Sequence, residues 1–260
     1  AAEPVEVVVA MIDRHMAPRL VGQDPFNWKT LIDQVSWDAD RGATRFSTSG
    51  IDLALHDLVG KALDVPVYVL LGGRRRSKVL ASIEVPRNTP EKIAEHSYEY
   101  YQQGVRGFKA KIGSDPVQDA ECIKAIREKL GPEVSLRADA SRGYTVKEAI
   151  TFCNLVEQFD VGLEILEQPV GLMDLDGHRL VKEATSIPVE VDQSAFSLSR
   201  VHEIIKCGAA DVINTKCGKA GGIRGVEQWA TVAESAGLPI VIGTEWGTGL
   251  KVAAKLHLGA

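Results

Sequence analysis

The rhythm of apolar and polar positions changes near residue 79. Before that point apolar residues recur at helical spacing. Val5 to Leu20 mixes apolar and charged turns, and Asp24-Pro25 is a helix-start signal ahead of Phe26-Asn27-Trp28. Ser49 reads as a small capping residue for a helix to Ala62, with Ile51, Leu55, Leu58, Val59 and Ala62 along one side. Pro66 follows, and Leu70-Leu71-Gly72-Gly73 ends the block with a glycine stop. Residues 1–78 are therefore expected to be helical. From residue 79 short apolar runs predict strands at 79–85, 108–113, 135–141, 164–168, 188–193, 211–216 and 239–244. Amphipathic stretches between them predict helices near 90–103, 116–130, 145–159, 174–184, 198–206, 223–236 and 247–257. Strands alternating with helices imply a parallel sheet with right-handed crossovers, either doubly wound and open or closed as a barrel. Neither GxGxxG nor GxxxxGK[ST] follows the first strand, so a nucleotide-binding open sheet lacks its usual support.

From the second strand onward, a polar or charged residue falls at the same place in each unit. Lys111, Asp139, Glu167, Asp192, Lys216 and Thr244 end successive predicted strands at intervals of 24 to 28 residues. Parallel strands bring their C-terminal ends to one face, so these side chains are expected to converge. A carboxylate that ends an apolar strand is costly to bury without a partner, and three successive strands end that way. Asp139, Glu167 and Asp192 together make an oxygen-ligand set for a hard cation such as Mg²⁺, or Mn²⁺, with positions left for water or substrate. Lys109 and Lys111, two apart on one strand, point the same way. Lys216 follows the last ligand strand. Ammonium groups close to a divalent cation and to each other should have depressed pKa values and serve as bases. Bases flanking a cation-bound substrate suit removal of a proton next to a carboxylate, the cation stabilising the enediolate charge.

Composition narrows the alternatives. The 260 residues carry 30 Lys+Arg against 35 Asp+Glu, a net charge of −5 that argues against a nucleic-acid binder. No apolar run approaches the roughly 18–20 residues of a membrane helix, so no membrane partner is expected. Cys122, Cys153, Cys207 and Cys217 form no CxxC pair and read as reduced thiols, which points to the cytoplasm. The six histidines show no zinc spacing, and Arg74-Arg75-Arg76 reads as a solvated linker. The length lies near the ~250 residues of a (β/α)8 barrel, but once the helical block is set aside only seven units fit.

At these residues the chain resembles the enolase superfamily, in particular the muconate-lactonizing subgroup of the mandelate racemase relatives. Gly50-Ile51-Asp52-Leu53-Ala54-Leu55-His56-Asp57 through Gly60-Lys61 and Leu70-Leu71-Gly72-Gly73 is similar to that family's connecting helix. Lys109-Ala110-Lys111 is similar to its KxK motif, whose second lysine is a base and whose first assists at the substrate carboxylate. Arg137-Ala138-Asp139, Leu166-Glu167-Gln168-Pro169 and Val191-Asp192-Gln193-Ser194 match its three metal strands. Lys216, within Asn214-Thr215-Lys216-Cys217-Gly218-Lys219-Ala220-Gly221-Gly222, matches its opposing lysine.

The resemblance implies an α/β fold: a (β/α)7β TIM-like barrel with seven barrel strands present over 79–260, and a partial helical cap over 1–78. It implies Mg²⁺-dependent proton abstraction α to a small carboxylate by Lys111 and Lys216, as racemase, epimerase or cycloisomerase. Dehydration on the same scaffold is the alternative, and a non-catalytic fragment or binding-only relative is the rival from another class. The expectation of a fragment comes from the chain ends. Nothing before Val5 corresponds to the family's meander, and the chain stops at Leu256-His257-Leu258-Gly259-Ala260 before an eighth strand. The family often assembles, so a homo-oligomer is expected. Ser141 stands where the family usually has Asn and is expected at metal-bound water or substrate. Gln193 replaces a common Glu beside the third ligand. Lys219 reads as a neighbour that tunes Lys216, Arg137 and Glu190 as a buried ion pair lower in the barrel, and Glu245 and Trp246 as substrate contacts.

Overall fold

A computed structural model of the chain describes residues 3–36, 44–245 and 247–260. The helical block comprises α1 (Val5–Met11), a π-helical stretch (Ile12–Met16), α2 (Ala17–Leu20), a 3-10 turn (Pro25–Asn27), α3 (Trp28–Val35), α4 (Arg45–Ala62) and α5 (Val67–Leu70). The alternating region follows as β1 (Ser82–Val85), α6 (Pro90–Gln102), β2 (Gly107–Lys111), α7 (Pro116–Leu130), β3 (Ser135–Asp139), α8 (Val146–Gln158), β4 (Ile165–Glu167), α9 (Leu175–Glu183) and β5 (Val189–Val191). It ends with α10 (Leu198–Cys207), β6 (Val212–Thr215), α11 (Cys217–Ala220), α12 (Ile223–Ser235), β7 (Ile240–Ile242) and α13 (Gly249–Gly259). The fold is α/β, and the strands are hydrogen-bonded in sequence order from β1 to β7. β2, β3 and β4 end at the charged residues Lys111, Asp139 and Glu167, where the chain leaves the ladder for the following loops.

Two compact units are present. One contains Leu80–Ala195 and Glu203–Ile213, and its strands are parallel. Side chains alternate across β2: Phe108 and Ala110 are fully buried, while Lys109 and Lys111 take the other face. Phe108, Leu136, Leu166 and Val189 belong to one core with Ile123, Ile126, Phe152 and Val181 from the helices. The helices start where the sequence supplies caps. Asp115 accepts from the Val117 and Gln118 amides ahead of Pro116, and Thr145 with Glu148 forms a capping box. Lys111, Asp139 and Glu167 lie at one register level on neighbouring strands, and Glu190 is level with Glu167.

The other unit contains residues 1–79, 196–202 and 214–260. Its core joins Leu53 of α4 to Cys217, Ile223, Val226 and Ala254. Helix α4 starts at Arg45, four residues before the expected Ser49, because Ser47, Thr48 and Ser49 are buried within it rather than capping it. Asp52 is fully buried, and its Oδ2 accepts the Ile223 N–H at 2.5 Å, capping α12 from a distant element. At Gly222 (φ +117°) a Cβ would lie 2.4 Å from Asp52 Cγ, so the close approach requires glycine.

Burial pushes the Asp52 carboxyl up to about 7, aided by Glu227 and opposed by the Ile223 and Arg224 amides and the Arg224 charge. His56, one turn on, faces it with Nδ1 3.5 Å from Asp52 Oδ2, and burial lowers the His56 pKa. A folded-state pKa above the unfolded one means that the native chain holds this proton more tightly. Its stabilising contribution is complete below about pH 4 and is lost as pH rises through about 7. Asp52→Asn retains an acceptor for Ile223 without the titration. Urea melts at pH 5 and pH 8 should show the wild type losing stability relative to Asp52→Asn, on the order of 2–4 kcal/mol. Equal slopes with pH would contradict this.

All four cysteines are free thiols. Among the described residues no helix is long and apolar enough to cross a membrane.

Candidate active site

The ends of β2, β3 and β4 bring together four of the charged residues singled out in the sequence. Lys111 Nζ donates to Asp139 Oδ2 at 2.6 Å and to Ser141 Oγ at 3.2 Å. Lys109 Nζ lies 3.0 Å from Glu167 Oε2 and 3.4 Å from Asp139 Oδ2. Ser141 (φ +49°) folds back so that its N–H and hydroxyl both donate to Asp139 Oδ1, at 2.8 and 3.0 Å. The hydroxyl expected near substrate is thus placed between Lys111 and Asp139. Glu84, from the lysine-facing side of β1, also reaches Lys111, at 3.4 Å. The sequence reading passed over Glu84, although its alternation with Ile83 and Val85 was the available signal.

Asp192 follows β5 and is buried, its N–H donating to Gln168 Oε1 at 2.9 Å. Gln168 is fully buried in a left-handed conformation (φ +44°) and also accepts the Ser194 N–H, while its Nε2 donates to Ser194 Oγ at 2.7 Å. One amide thereby fixes the loop after β4 to the loop after β5. Gln193 Oε1, beside Asp192, is buried with no hydrogen-bond partner among the described residues. Arg137, two residues before Asp139, and Glu190, two before Asp192 and level with Glu167, form the expected buried ion pair through Nη2 and Oε2.

The electrostatics reflect crowded acids. Burial raises Glu167 to about 7, and Glu190, Asp139 and Asp192 add to the rise against the pull of Lys109. For Asp139 burial works in the same direction but is outweighed by Lys109, Lys111 and the Ser141 N–H, so its pKa is lowered. Lys109 is held in its charged form by its neighbours. Burial alone would depress it, yet Glu167 and Asp139 outweigh burial and raise it above the ordinary lysine value. The expected depression assumed a cation already neutralising those carboxylates.

The donor set suits a hard divalent ion. Three carboxylates of consecutive strands are buried to within a few per cent, and repulsion from its acidic neighbours disfavours the ionised form of Glu167, which a bound cation would relieve. Among the described residues no three His, Cys, Asp or Glu side chains are gathered closely enough to hold an ion as they stand. Lys109 instead lies against two of the carboxylates.

Lys216 and Glu245 belong to the other unit. Lys216 is extended (φ −144°, ψ 141°) and immediately precedes α11. A Cβ at Gly243 would come within 2.9 Å of Lys216 Cε, so that glycine leaves room for the lysine stem. Glu245 accepts from the Gly218 and Lys219 amides, both at 3.1 Å, and pairs with Lys251 Nζ at 3.3 Å. Lys216, Thr244, Glu245, Lys251 and Lys255 line one small cavity. Lys219 directs its ammonium over the Trp229 ring, 5.7 Å from the centroid. Trp246 lies outside the described residues.

Residues 92–260 match the family model for the enolase C-terminal domain-like fold, and residues 2–72 match the mandelate racemase / muconate lactonizing enzyme N-terminal domain. The chain belongs to the mandelate racemase / muconate lactonizing enzyme family of the enolase superfamily. It is 31% identical over 255 residues to the L-Ala-D/L-Glu epimerase of Clostridium acetobutylicum, spanning 98% of this chain and 70% of that enzyme. It is 33% identical over 261 residues to muconate cycloisomerase 1 of Pseudomonas putida, spanning 98% of this chain and 68% of that one. The crystal structure of the dipeptide epimerase of Enterococcus faecalis V583, complexed with Mg and the dipeptide L-Leu-L-Tyr, superposes with a TM-score of 0.92 at 29% identity. That match covers 98% of this chain and 71% of the epimerase. The relatives are epimerases, racemases and cycloisomerases, which puts the chain among the isomerases.

Proposed function

We propose that this chain carries the machinery for removing the proton α to a substrate carboxylate, in a racemase, epimerase or cycloisomerase reaction. The observation that carries the reading is the Lys111 ammonium, 2.6 Å from Asp139, at the C-terminal end of neighbouring parallel strands with Glu167 level beside them. Asp139, Glu167 and Asp192 would hold Mg²⁺, or Mn²⁺ in its place. When bound, the ion supplies positive charge against the carboxylate oxygens on which enediolate charge develops. Lys111 takes or returns the proton on one side of the substrate α-carbon. Lys216, beyond β6, is the second base, serving the opposite epimer. Lys109 supports the substrate carboxylate, and Ser141 holds Lys111 and Asp139 in place through its hydroxyl and N–H. Glu245 orders the segment after Lys216 through the Gly218 and Lys219 amides.

Two bases with one intermediate suit inversion at the α-carbon. The relatives named as L-Ala-D/L-Glu epimerase and N-succinyl-L-Arg/Lys racemase support small N-acylated amino acids as the substrate class. The test is proton NMR in D2O with Mg²⁺, using L-Ala-L-Glu, N-succinyl-L-arginine and muconate. We expect loss of the α-hydrogen signal from one of the first two, or lactone formed from the third. Stable signals from all three, with the ion shown to be bound, would refute the reading.

A further inference from the structure

We infer that Asp119 is a positioning residue for Lys111, holding the loop that follows β2 at a fixed place against the loops after β3 and β4. The inference rests on the reading of Lys111 as a base, but its geometry stands apart from it. Asp119 is buried in the first turns of α7. One oxygen, Oδ2, accepts the consecutive backbone N–H groups of Gly113, Ser114 and Asp115, at 2.9, 2.9 and 3.2 Å. The Tyr144 hydroxyl donates to the same oxygen at 2.6 Å. Successive amides converging on an anion form a nest, and charge-assisted bonds of this kind are the stronger ones. The arrangement begins two residues after Lys111.

The nest reaches further than its own loop. Tyr144 lies in the loop after β3 that also contains Ser141, the residue whose hydroxyl supports Lys111. Its N–H donates to Pro169 O after β4 at 3.1 Å, and the Arg142 N–H donates to Gln168 O at 2.8 Å. The first two loops touch through backbone. At Gly113 (φ +102°) a Cβ would lie 2.3 Å from Ala140 O, and one at Gly143 would lie 2.1 Å from Gly113 O. Asp119 thus fixes both the backbone after Lys111 and the segment bearing its hydroxyl partner. Helix capping does not account for it, since Asp115 Oδ1 already serves the Val117 and Gln118 amides.

Competitive acetylation with trace acetic anhydride, read lysine by lysine by mass spectrometry, tests the inference without a substrate. In Asp119→Ala the Lys111 labelling rate should rise at least threefold, while Lys109 and Lys216 stay within about twofold of wild type. Asp119→Asn should recover part of the protection because it keeps an acceptor oxygen, and Tyr144→Phe should lose part of it. If Asp119→Ala does not fold, these two variants make the same comparison. Unchanged Lys111 labelling, or an equal rise at every lysine, would overturn the inference. Deuterium exchange of L-Ala-L-Glu and L-Ala-D-Glu, compared with Lys111→Ala, separates the two ideas. If Lys111→Ala leaves exchange intact, the reading of Lys111 as a base fails, while the labelling result still decides whether Asp119 positions it.

Discussion

Lys111→Ala should stop exchange of the substrate α-hydrogen from one epimer, and Lys216→Ala from the other. A positioned general base contributes roughly 10²–10⁴ in rate, so each loss should fall in that range for its own epimer. The other epimer should keep proton removal by the remaining lysine but lose inversion, because the opposite donor is gone. This asymmetry separates the two-base reading from simple damage, which would slow both epimers alike. Lys111 contacts Asp139 at 2.6 Å, so removing it takes a competing cation from a carboxylate assigned to the ion. Mg²⁺ affinity in Lys111→Ala should therefore be retained or tightened, as calorimetry would show. Loss of exchange with intact ion binding would place the defect in proton transfer. Wild-type exchange of both epimers in both variants would sink the assignment.

The strand-end carboxylates and lysines were legible because one charged residue per βα unit has no cheaper explanation than a shared face. Register then gives the rest: Lys111, Asp139 and Glu167 are level on adjacent strands. The Arg137–Glu190 pair follows from the same alternation, each residue standing two before a strand-end carboxylate of its own strand. What could not be read were contacts that join loops. Asp119, near the start of a helix, looks like an ordinary acidic first-turn residue, and only the turn at Gly113 brings three amides to it. Gln168 sits inside the Leu166-Glu167-Gln168-Pro169 motif, yet its hold on Asp192 depends on a left-handed backbone that sequence does not announce. Asp52 reads as one more position on a helix, although it is fully buried and caps a helix 171 residues away. The rise of the Lys109 pKa is hidden from sequence for a related reason. Its outcome depends on two carboxylates at 3.0 and 3.4 Å, distances that spacing along the chain does not fix.

Those carboxylates also set the expected response to metal. Glu167 is buried beside Glu190, Asp139 and Asp192, and all three acids add to the rise of its pKa. An ion bound to the native chain alone stabilises it by about 2.7 kcal/mol at 100 times its Kd. For a chain of this size that corresponds to a Tm rise of roughly 5–10 °C on adding Mg²⁺. Removing the ion with EDTA should lower α-hydrogen exchange by about 10³-fold or more, since a Lewis acid contributes several kcal/mol at the developing negative charge. Glu167→Gln should lose both responses. It removes one of three anionic ligands, while Lys109 keeps Asp139 as a partner at 3.4 Å, so the fold need not collapse. Scanning calorimetry with and without Mg²⁺, on wild type and Glu167→Gln, separates ion binding from general fragility. Melting and exchange that are both indifferent to Mg²⁺ and EDTA in the wild type would remove these carboxylates from any metal role.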